Sequence, residues 1–385
     1  MTVSRTPEPL PLTREVAGDV RWLASVDSTN RLAAQLAASG ELNRVLPGKY
    51  AGNLNDSRVE AGPDDAAGRR PVAVIAAGEQ TAGRGRLDHK WESRPGESFI
   101  VSFVTAVPRR LATDPGVAGW LQMIAGLATV DALREVLRVF PPQPRSSSPS
   151  SSFSSSSGCH EPVPGEPTRD IEQGMRLKLK WPNDIFAVET VGNGASEGRK
   201  LGGILAQMVS LDGVAAAGNA ADGEPMVAIV FGIGLNLAIP ADRLPTPQST
   251  SLQLIAPAVA KFLEASSASH DSAAATAELT DRIAAGIVTR LDDLLHEFRR
   301  DTPGTVTRLL RRMTGEGAAA SRDGVAEDAM TAGECWTIGR EVEVHYVDGS
   351  AERGTAVGLN ADASLQFRTA DGQLKPVTTA DVGVL

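Results

Sequence analysis

A loop in which glycine and arginine alternate, Gly83-Arg84-Gly85-Arg86, constrains this chain more than any other feature. It follows a short apolar run at residues 72–77, which predicts a buried strand, and it precedes Trp91. Glycine lets the backbone approach a ligand closely, whereas arginine offers a permanent charge and planar donors for carboxylate and phosphate groups. The pattern therefore predicts a loop that closes over a small anionic ligand. From these four residues alone, an RNA-binding Gly/Arg segment and an ordinary solvated turn remain open.

The composition favours a small ligand over nucleic acid. The 385 residues carry a formal net charge of -9, which disfavours non-specific binding to nucleic acid. Basic residues nevertheless lie in or beside the motifs: Arg84, Arg86, Arg176, Lys178, Lys180, Arg199 and Lys200. Two cysteines, Cys159 and Cys335, lack metal-ligand spacing and are expected to be free thiols. We find no signal peptide and no membrane-spanning run, so we expect a cytoplasmic protein with no membrane partner.

Local patterns predict an α+β fold. Helices are expected at residues 28–39, 116–139 and 274–300. Strands are expected at residues 72–77, 98–105, 175–181, 184–188, 200–209 and 226–235, with turns at 193–198 and 212–223. From residue 339, short strands with turns at 348–349, 360–361 and 371–372 predict a small β-barrel.

These patterns divide the chain into three parts. Residues 1–19 are expected to be a flexible N-terminus, residues 20–330 the main domain with all the motifs, and residues 333–385 the C-terminal β domain. Two stretches inside the main domain, 45–70 and 141–174, are rich in loop-forming residues, and residues 146–157 are almost pure serine. Such segments cannot bury enough apolar surface to order themselves, so both are predicted to be disordered inserts.

Four further blocks accompany the Gly/Arg loop. They are Ser28-Thr29-Asn30, Lys180-Trp181-Pro182-Asn183-Asp184, Lys200-Leu201-Gly202-Gly203-Ile204-Leu205 and Gly232-Ile233-Gly234-Leu235-Asn236. In this order, the five blocks resemble those of biotin protein ligases, which activate biotin with ATP and attach it to a lysine of a carrier protein. The resemblance runs from about Val20 to the C-terminus, interrupted by the two low-complexity stretches.

The resemblance implies a class II synthetase-like catalytic domain, with a mixed or antiparallel sheet backed by helices, and a small SH3-like barrel at the C-terminus. It implies biotin contacts from Ser28, Thr29, Gln80, Arg84, Arg86 and Lys200. It implies nucleotide contacts from Gly83, Gly85, Trp91, Lys180, Asn183, Asp184 and Asn236. Of these residues, Lys200, Arg84, Arg86 and Lys180 would be catalytic, and Asp184 would contact Mg²⁺. ATP and biotin would be substrates, with no covalent enzyme intermediate.

Several of these residues also fit plainer roles. Ser28 or Thr29 can cap a helix, and an aromatic after a loop, such as Trp91, is commonly a core residue. Asp184 and Asn236 can be turn residues, and a lysine at a strand end, such as Lys200, is commonly solvated.

The chain also departs from the family pattern. His89 stands where family members commonly carry a phosphate-contacting arginine. The region before Val20 has no room for the winged helix of the operon-repressing relatives, so we expect the monofunctional type and no DNA partner. The expected protein partner is the biotin carboxyl carrier domain of an acyl-CoA or pyruvate carboxylase. Alternatives are a lipoate or octanoyl transferase, whose enzymes lack the Gly/Arg loop, and a non-enzymatic biotin sensor that acts through DNA.

Overall fold

The computed structural model describes residues 9–46, 49–50, 69–86, 90–91, 93–139, 175–190, 196–211, 224–268, 272–316 and 333–385. The insert predicted at 141–174, most of the one predicted at 45–70, the turn predicted at 212–223 and His89 lie outside these residues. The architecture below is that of the described residues.

A mixed eight-stranded sheet forms the centre of the molecule. The first ten strands are β1 Ala17–Val26, β2 Lys49–Tyr50, β3 Arg70–Gln80, β4 Gly83–Arg84, β5 Lys90–Trp91, β6 Ser98–Pro108, β7 Met175–Lys180, β8 Asp184–Thr190, β9 Ser196–Ser210 and β10 Glu224–Asn236. The strand order is β1-β3-β6-β10-β9-β8-β7, β2 pairs with β10, and β4 and β5 form a separate small hairpin. The pair β1·β3 is parallel and the other pairs are antiparallel. The predicted mixed sheet is confirmed.

Helices pack on both faces of this sheet. They are α1 Pro11–Val16, α2 Thr29–Ser39, α3 Arg109–Thr113, α4 Gly119–Val139, α5 Leu252–Ile255, α6 Pro257–Ala268, α7 Ser272–Arg300 and α8 Thr302–Thr314. The apolar stripe of α7, from Leu279 to Leu295, is fully buried and packs in the same core as α4. A smaller core on the opposite face lies under α2. The three predicted helices are confirmed within a few residues at their ends.

Alternation along β10 assigns its residues to the two cores. Phe231, Ile233 and Leu235 lie in the larger core, and Ala228 and Val230 lie in the core under α2. Successive side chains of a strand point to opposite faces, so Gly232, Gly234 and Asn236 continue the α2 face beyond the end of that smaller core.

The described part of the N-terminus differs from the predicted flexible segment. From residue 9 the chain enters α1 and β1, and Asp281 of α7 anchors it. The Asp281 carboxylate, which is buried, accepts hydrogen bonds from the backbone N–H groups of Leu12 and Thr13 and from the Thr13 hydroxyl. Sequence reasoning missed this contact because its two sides are 268 residues apart. The turn predicted at 193–198 also ends early, since β9 begins at Ser196.

A second, five-stranded antiparallel sheet follows at the C-terminus. Its strands are β11 Glu341–Tyr346, β12 Ala351–Leu359, β13 Leu365–Thr369, β14 Leu374–Val377 and β15 Ala380–Val384, in the order β14-β13-β12-β11-β15. The predicted small β module is confirmed, and glycines with positive φ at 349 and 372 lie in two of its three predicted turns.

This second sheet contacts the main domain through backbone carbonyls. The indole N–H of Trp181 donates to the Ala363 carbonyl at 2.9 Å, and that of Trp120 donates to the Ala361 carbonyl at 2.7 Å. Just before the sheet, Glu334 forms a bidentate pair with Arg134 of α4, both N–O distances being 2.8 Å. The C-terminal unit therefore packs directly behind the Lys180–Asp184 motif.

No helix in the described part of the chain combines the length and the apolar character needed to cross a membrane.

Candidate active site

Glycines on β10 leave room for a site on the α2 face of the sheet. A Cβ on Gly232 would lie 2.0 Å from the Asn30 side-chain oxygen, and a Cβ on Gly234 would lie 2.8 Å from the Trp91 ring. Both distances are shorter than a Cβ tolerates. The glycines therefore let Asn30 and Trp91 lie directly on the strand, with Gly234 paired to Gly203 of β9.

The start of α2 forms one half of the site. Ser28 caps the helix, and its Oγ accepts a bond from the Arg31 N–H at 3.5 Å. The Gln80 Oε1 accepts from the Thr29 N–H at 2.8 Å and from the Thr29 hydroxyl at 3.1 Å. Capping by Ser28 is thus confirmed, and Thr29 and Gln80, 51 residues apart, are in direct contact.

A charged cluster forms the other half. The Lys200 ammonium lies 2.7 Å from Asp184 Oδ1, and the Lys180 ammonium lies 3.6 Å from Asp184 Oδ2. Lys180 and Asp184 are buried, whereas the Lys200 side chain is 39% exposed. One buried carboxylate thus holds two lysines, and the cluster carries a net positive charge suited to an anionic ligand.

The Gly/Arg loop spans the region between the two halves. Gly83 on β4 pairs with Trp91 on β5, Gly85 is half-buried, and Arg84 has an exposed side chain. The Arg86 guanidinium donates to the Asn183 Oδ1 at 3.3 Å. Burial lowers the pKa of Arg86, although the nearby negative charges of Asp381 and Asp184 act in the opposite direction. The ordinary pKa of arginine lies so far above neutrality that the side chain stays cationic.

Asn183 and Asn236 hold backbone at the site. The Asn183 amide N–H donates to the Ile204 carbonyl at 2.9 Å, so the Asn183 side chain bridges β9 and Arg86. Asn236 is buried and its amide N–H donates to the Thr250 carbonyl at 2.9 Å. The Thr250 N–H in turn donates to the Lys200 carbonyl at 2.8 Å. In this structure Asn236 supports the segment beside Lys200, and its predicted nucleotide contact stays a prediction.

Two polar atoms on this face are buried without a partner among the described residues. They are the indole nitrogen of Trp91 and the hydroxyl oxygen of Ser98. Ser98 lies directly opposite Asn236 in the β6·β10 register, and Trp91 covers Gly234. Buried polar groups in folded proteins are almost always hydrogen-bonded, so both atoms call for a partner that the described residues do not supply.

A layered stack backs Lys180. The Lys180 ammonium lies 5.7 Å from the centroid of the Phe186 ring, which stacks on Trp336 with 5.0 Å between centroids. The Arg340 guanidinium lies 4.3 Å from the centroid of the Trp336 ring. Trp336, at the start of the C-terminal unit, therefore packs against Phe186, the ring nearest the buried Lys180. Sequence reasoning missed Phe186 and Trp336, since no local pattern pairs residues 150 positions apart.

The described residues contain no group of three or more His, Cys, Asp or Glu placed to hold a metal ion. Asp184 is the carboxylate of the charged cluster, and its charge is already met by two lysines. Mg²⁺ prefers several oxygen ligands, so the protein's donor set suits an ion whose remaining ligands are phosphates and water.

Part of the chain is similar to a known protein family. Residues 70–218, less than half of the chain, match the model of the Biotin/lipoate A/B protein ligase family. Over 180 residues the chain is 30% identical to the biotin--[acetyl-CoA-carboxylase] ligase of Mycobacterium tuberculosis (strain ATCC 25618 / H37Rv). That alignment covers 46% of this chain and 44% of the relative, so the chain matches less than half of the relative's length. These two matches confirm the predicted resemblance to biotin protein ligases as a similarity over part of the chain.

The biotin protein ligase from Aquifex aeolicus in complex with biotin and ATP superposes with a TM-score of 0.48 and 16% identity, covering 96% of this chain and 99% of that chain. The biotin protein ligase from Leishmania major in complex with biotinyl-5-AMP superposes with a TM-score of 0.39 and 20% identity, covering 94% and 99% of the two chains.

Proposed function

We propose that this chain activates biotin with ATP to biotinyl-5'-AMP and transfers the biotin to a specific lysine of a biotin carboxyl carrier domain. The carrier would belong to an acyl-CoA or pyruvate carboxylase. The catalytic residues would lie within residues 20–330, and residues 333–385 would form the C-terminal domain.

The observation that carries this proposal is the pairing of two unlike half-sites on one sheet face. Thr29 and Gln80 form a neutral half-site of directed hydrogen bonds, whereas Lys180, Asp184 and Lys200 form a cationic one. A neutral polar ring at one end and a carboxylate at the other is the chemistry of biotin. The family domain and the Mycobacterium tuberculosis relative support the same substrate.

In the first step, the biotin carboxylate oxygen would attack the α-phosphorus of ATP, and the bond to pyrophosphate would break. Two anions must approach each other, so positive charge at the reacting atoms lowers the barrier. Lys200 is the lysine best suited to this role, because its side chain is partly exposed whereas Lys180 is buried. Lys180 would hold a phosphate, and Arg86 would close the loop over the product.

In the second step, the ε-amine of the carrier lysine would attack the carbonyl carbon of the mixed anhydride, and AMP would leave. The amine loses its proton as the amide forms. The enzyme contributes position and exclusion of water rather than a covalent intermediate. Gly83 and Gly85 would let the loop open for the carrier, because glycine changes backbone conformation at low cost.

Mg²⁺ would enter as the MgATP substrate. Asp184 is the residue that would contact it, directly or through water, while the phosphates supply the other ligands. The ion would offset charge on the phosphates.

ATP–pyrophosphate exchange with biotin as the sole acyl substrate tests the proposal. We expect exchange with biotin, none without an acyl substrate, and biotin transfer to a purified carrier domain on a streptavidin blot. Lipoate and octanoate form separate arms, because the matching family includes lipoate enzymes. Exchange with lipoate or octanoate but not with biotin would assign the chain to that second class instead.

A further inference from the structure

A buried serine outside every motif lies at the centre of the neutral half-site. Ser102 is in the middle of β6, has no exposed surface and lies directly opposite Gly232 in the register. Its Oγ is 2.8 Å from the Thr29 hydroxyl oxygen and 2.6 Å from Asn30 Oδ1. The same hydroxyl therefore contacts both residues that follow the Ser28 cap.

The partners fix which amide atom points where. The Thr29 N–H can only donate, so the Gln80 atom 2.8 Å away is the oxygen. The Leu205 carbonyl can only accept, so the Asn30 atom 3.0 Å from it is the nitrogen, and the Asn30 oxygen faces Ser102. Neither amide can be reversed without losing a backbone hydrogen bond.

The hydroxyl protons are then fully used inside the network. The Thr29 proton goes to the Gln80 oxygen, and the Ser102 proton lies between Thr29 Oγ1 and Asn30 Oδ1. Thr29 is left with a lone pair for a ligand, and Gln80 is left with its amide N–H groups, beside Gly83 of the loop. A complementary ligand carries an N–H donor next to a C=O acceptor, as a cyclic urea does.

We propose that Ser102 is a positioning residue that sets this hydrogen-bond direction and thereby selects ligands with an unsubstituted urea-type N–H. The inference rests on the proposed function, since it concerns the ring end of the same substrate. Without the Ser102 hydroxyl, the buried Asn30 oxygen loses its donor, and only the bond to the Leu205 carbonyl still orients the Asn30 amide. The Thr29 hydroxyl then loses a neighbour that fixes its orientation.

Calorimetric titration of the full chain tests this with biotin and with biotin methylated on one ureido nitrogen. For Ser102→Ala we expect about tenfold weaker biotin binding, the effect of roughly one lost hydrogen bond. We also expect the preference for biotin over the N-methyl compound to shrink by a similar factor. The matched control is Thr105→Val, which removes another buried β6 hydroxyl, bonded to the Pro71 carbonyl at 3.2 Å, and should match wild type in both measurements.

Two results would overturn the assignment. One is wild-type affinity and selectivity in a folded Ser102→Ala chain, and the other is an equal loss for both ligands, which a purely structural role produces. If Ser102→Ala fails to fold, Ser102→Cys, close in size but a weak donor, must show the same loss of selectivity. A wild-type chain that binds no biotin refutes the proposed function itself, so the two failures are distinguishable.

Discussion

Replacement of Gly232 by alanine tests the geometry of the neutral half-site most directly. The added Cβ would lie 2.0 Å from the Asn30 oxygen and 2.5 Å from the Asn30 side-chain carbon, inside the 3.0 Å limit that real Cβ contacts respect. Asn30 must therefore move by about 1 Å, because it is the side chain rather than the central strand that can give way. That movement separates Asn30 from Leu205 and from Ser102, with which it makes contacts of 3.0 and 2.6 Å.

The cost follows from those losses. Two buried hydrogen bonds contribute about 0.5–1.5 kcal/mol each. Overpacking of a close-packed interior adds about 1–3 kcal/mol. We expect Gly232→Ala to lower the free energy of unfolding by roughly 2–6 kcal/mol and to weaken biotin binding by at least tenfold.

Urea unfolding and calorimetric biotin titration measure both effects. The matched control is Gly383→Ala, another strand glycine, where a Cβ would meet only the Glu343 carbonyl at 3.8 Å, an ordinary contact. Its free energy of unfolding should stay within about 0.5 kcal/mol of wild type. If Gly232→Ala is as stable as this control and binds biotin normally, Asn30 does not occupy the position described and the reasoning is wrong.

Three further predictions concern the charged half-site and its support. Lys200→Ala should lower biotin-dependent pyrophosphate exchange about 10²–10³-fold with the fold intact, because it removes positive charge at the reacting carboxylate and phosphate. The control is Lys261→Ala, which removes an exposed lysine of α6. Normal exchange in Lys200→Ala would refute the role of Lys200. Burial raises the pKa of Glu334, but the hydrogen bonds and the charge of Arg134 outweigh burial, so the folded-state pKa lies below its usual value. The stability that the ionised Glu334 contributes is therefore present above about pH 4.3, the unfolded-state pKa, and is lost as pH falls through the lower folded-state pKa. Glu334→Gln should therefore lower the free energy of unfolding by about 2–4 kcal/mol at pH 7 and by progressively less below pH 4, as urea unfolding at several pH values will measure. A loss that does not depend on pH would refute the ion pair between Glu334 and Arg134. Trp336→Leu should lower kcat for exchange about two- to tenfold, because it removes the aromatic pair with Phe186 that lies behind Lys180. An unchanged kcat would show that this stack does not contribute to catalysis.

Local chemistry was enough to predict most elements of the main domain. The helix of residues 29–39 has a serine cap, a single apolar stripe and a terminal glycine, all of which act within a few residues. Strands with continuous apolar runs, such as Arg70–Gln80, were predicted shorter than they are because their ends carry polar residues that pair with neighbouring strands. The helix of residues 302–314, strand 17–26 and the anchored N-terminus were missed, since their stability depends on distant contacts such as that of Asp281.

The candidate site likewise has features that the sequence determines and features that only the fold determines. The sequence by itself determined which residue types are available: glycines where close approach is needed, lysines and arginines for anions, and a serine and threonine at a helix start. Only the tertiary structure decided that Gln80 receives the Thr29 hydrogen bonds, that Asp184 lies between two lysines, and that Ser102 and Trp336 support them. The physical reason is that side-chain identity sets what a group can donate, accept or neutralise, whereas the sheet register and the packing of the C-terminal unit set which groups meet. Those arrangements are made by contacts far apart in the chain, which no local spacing encodes.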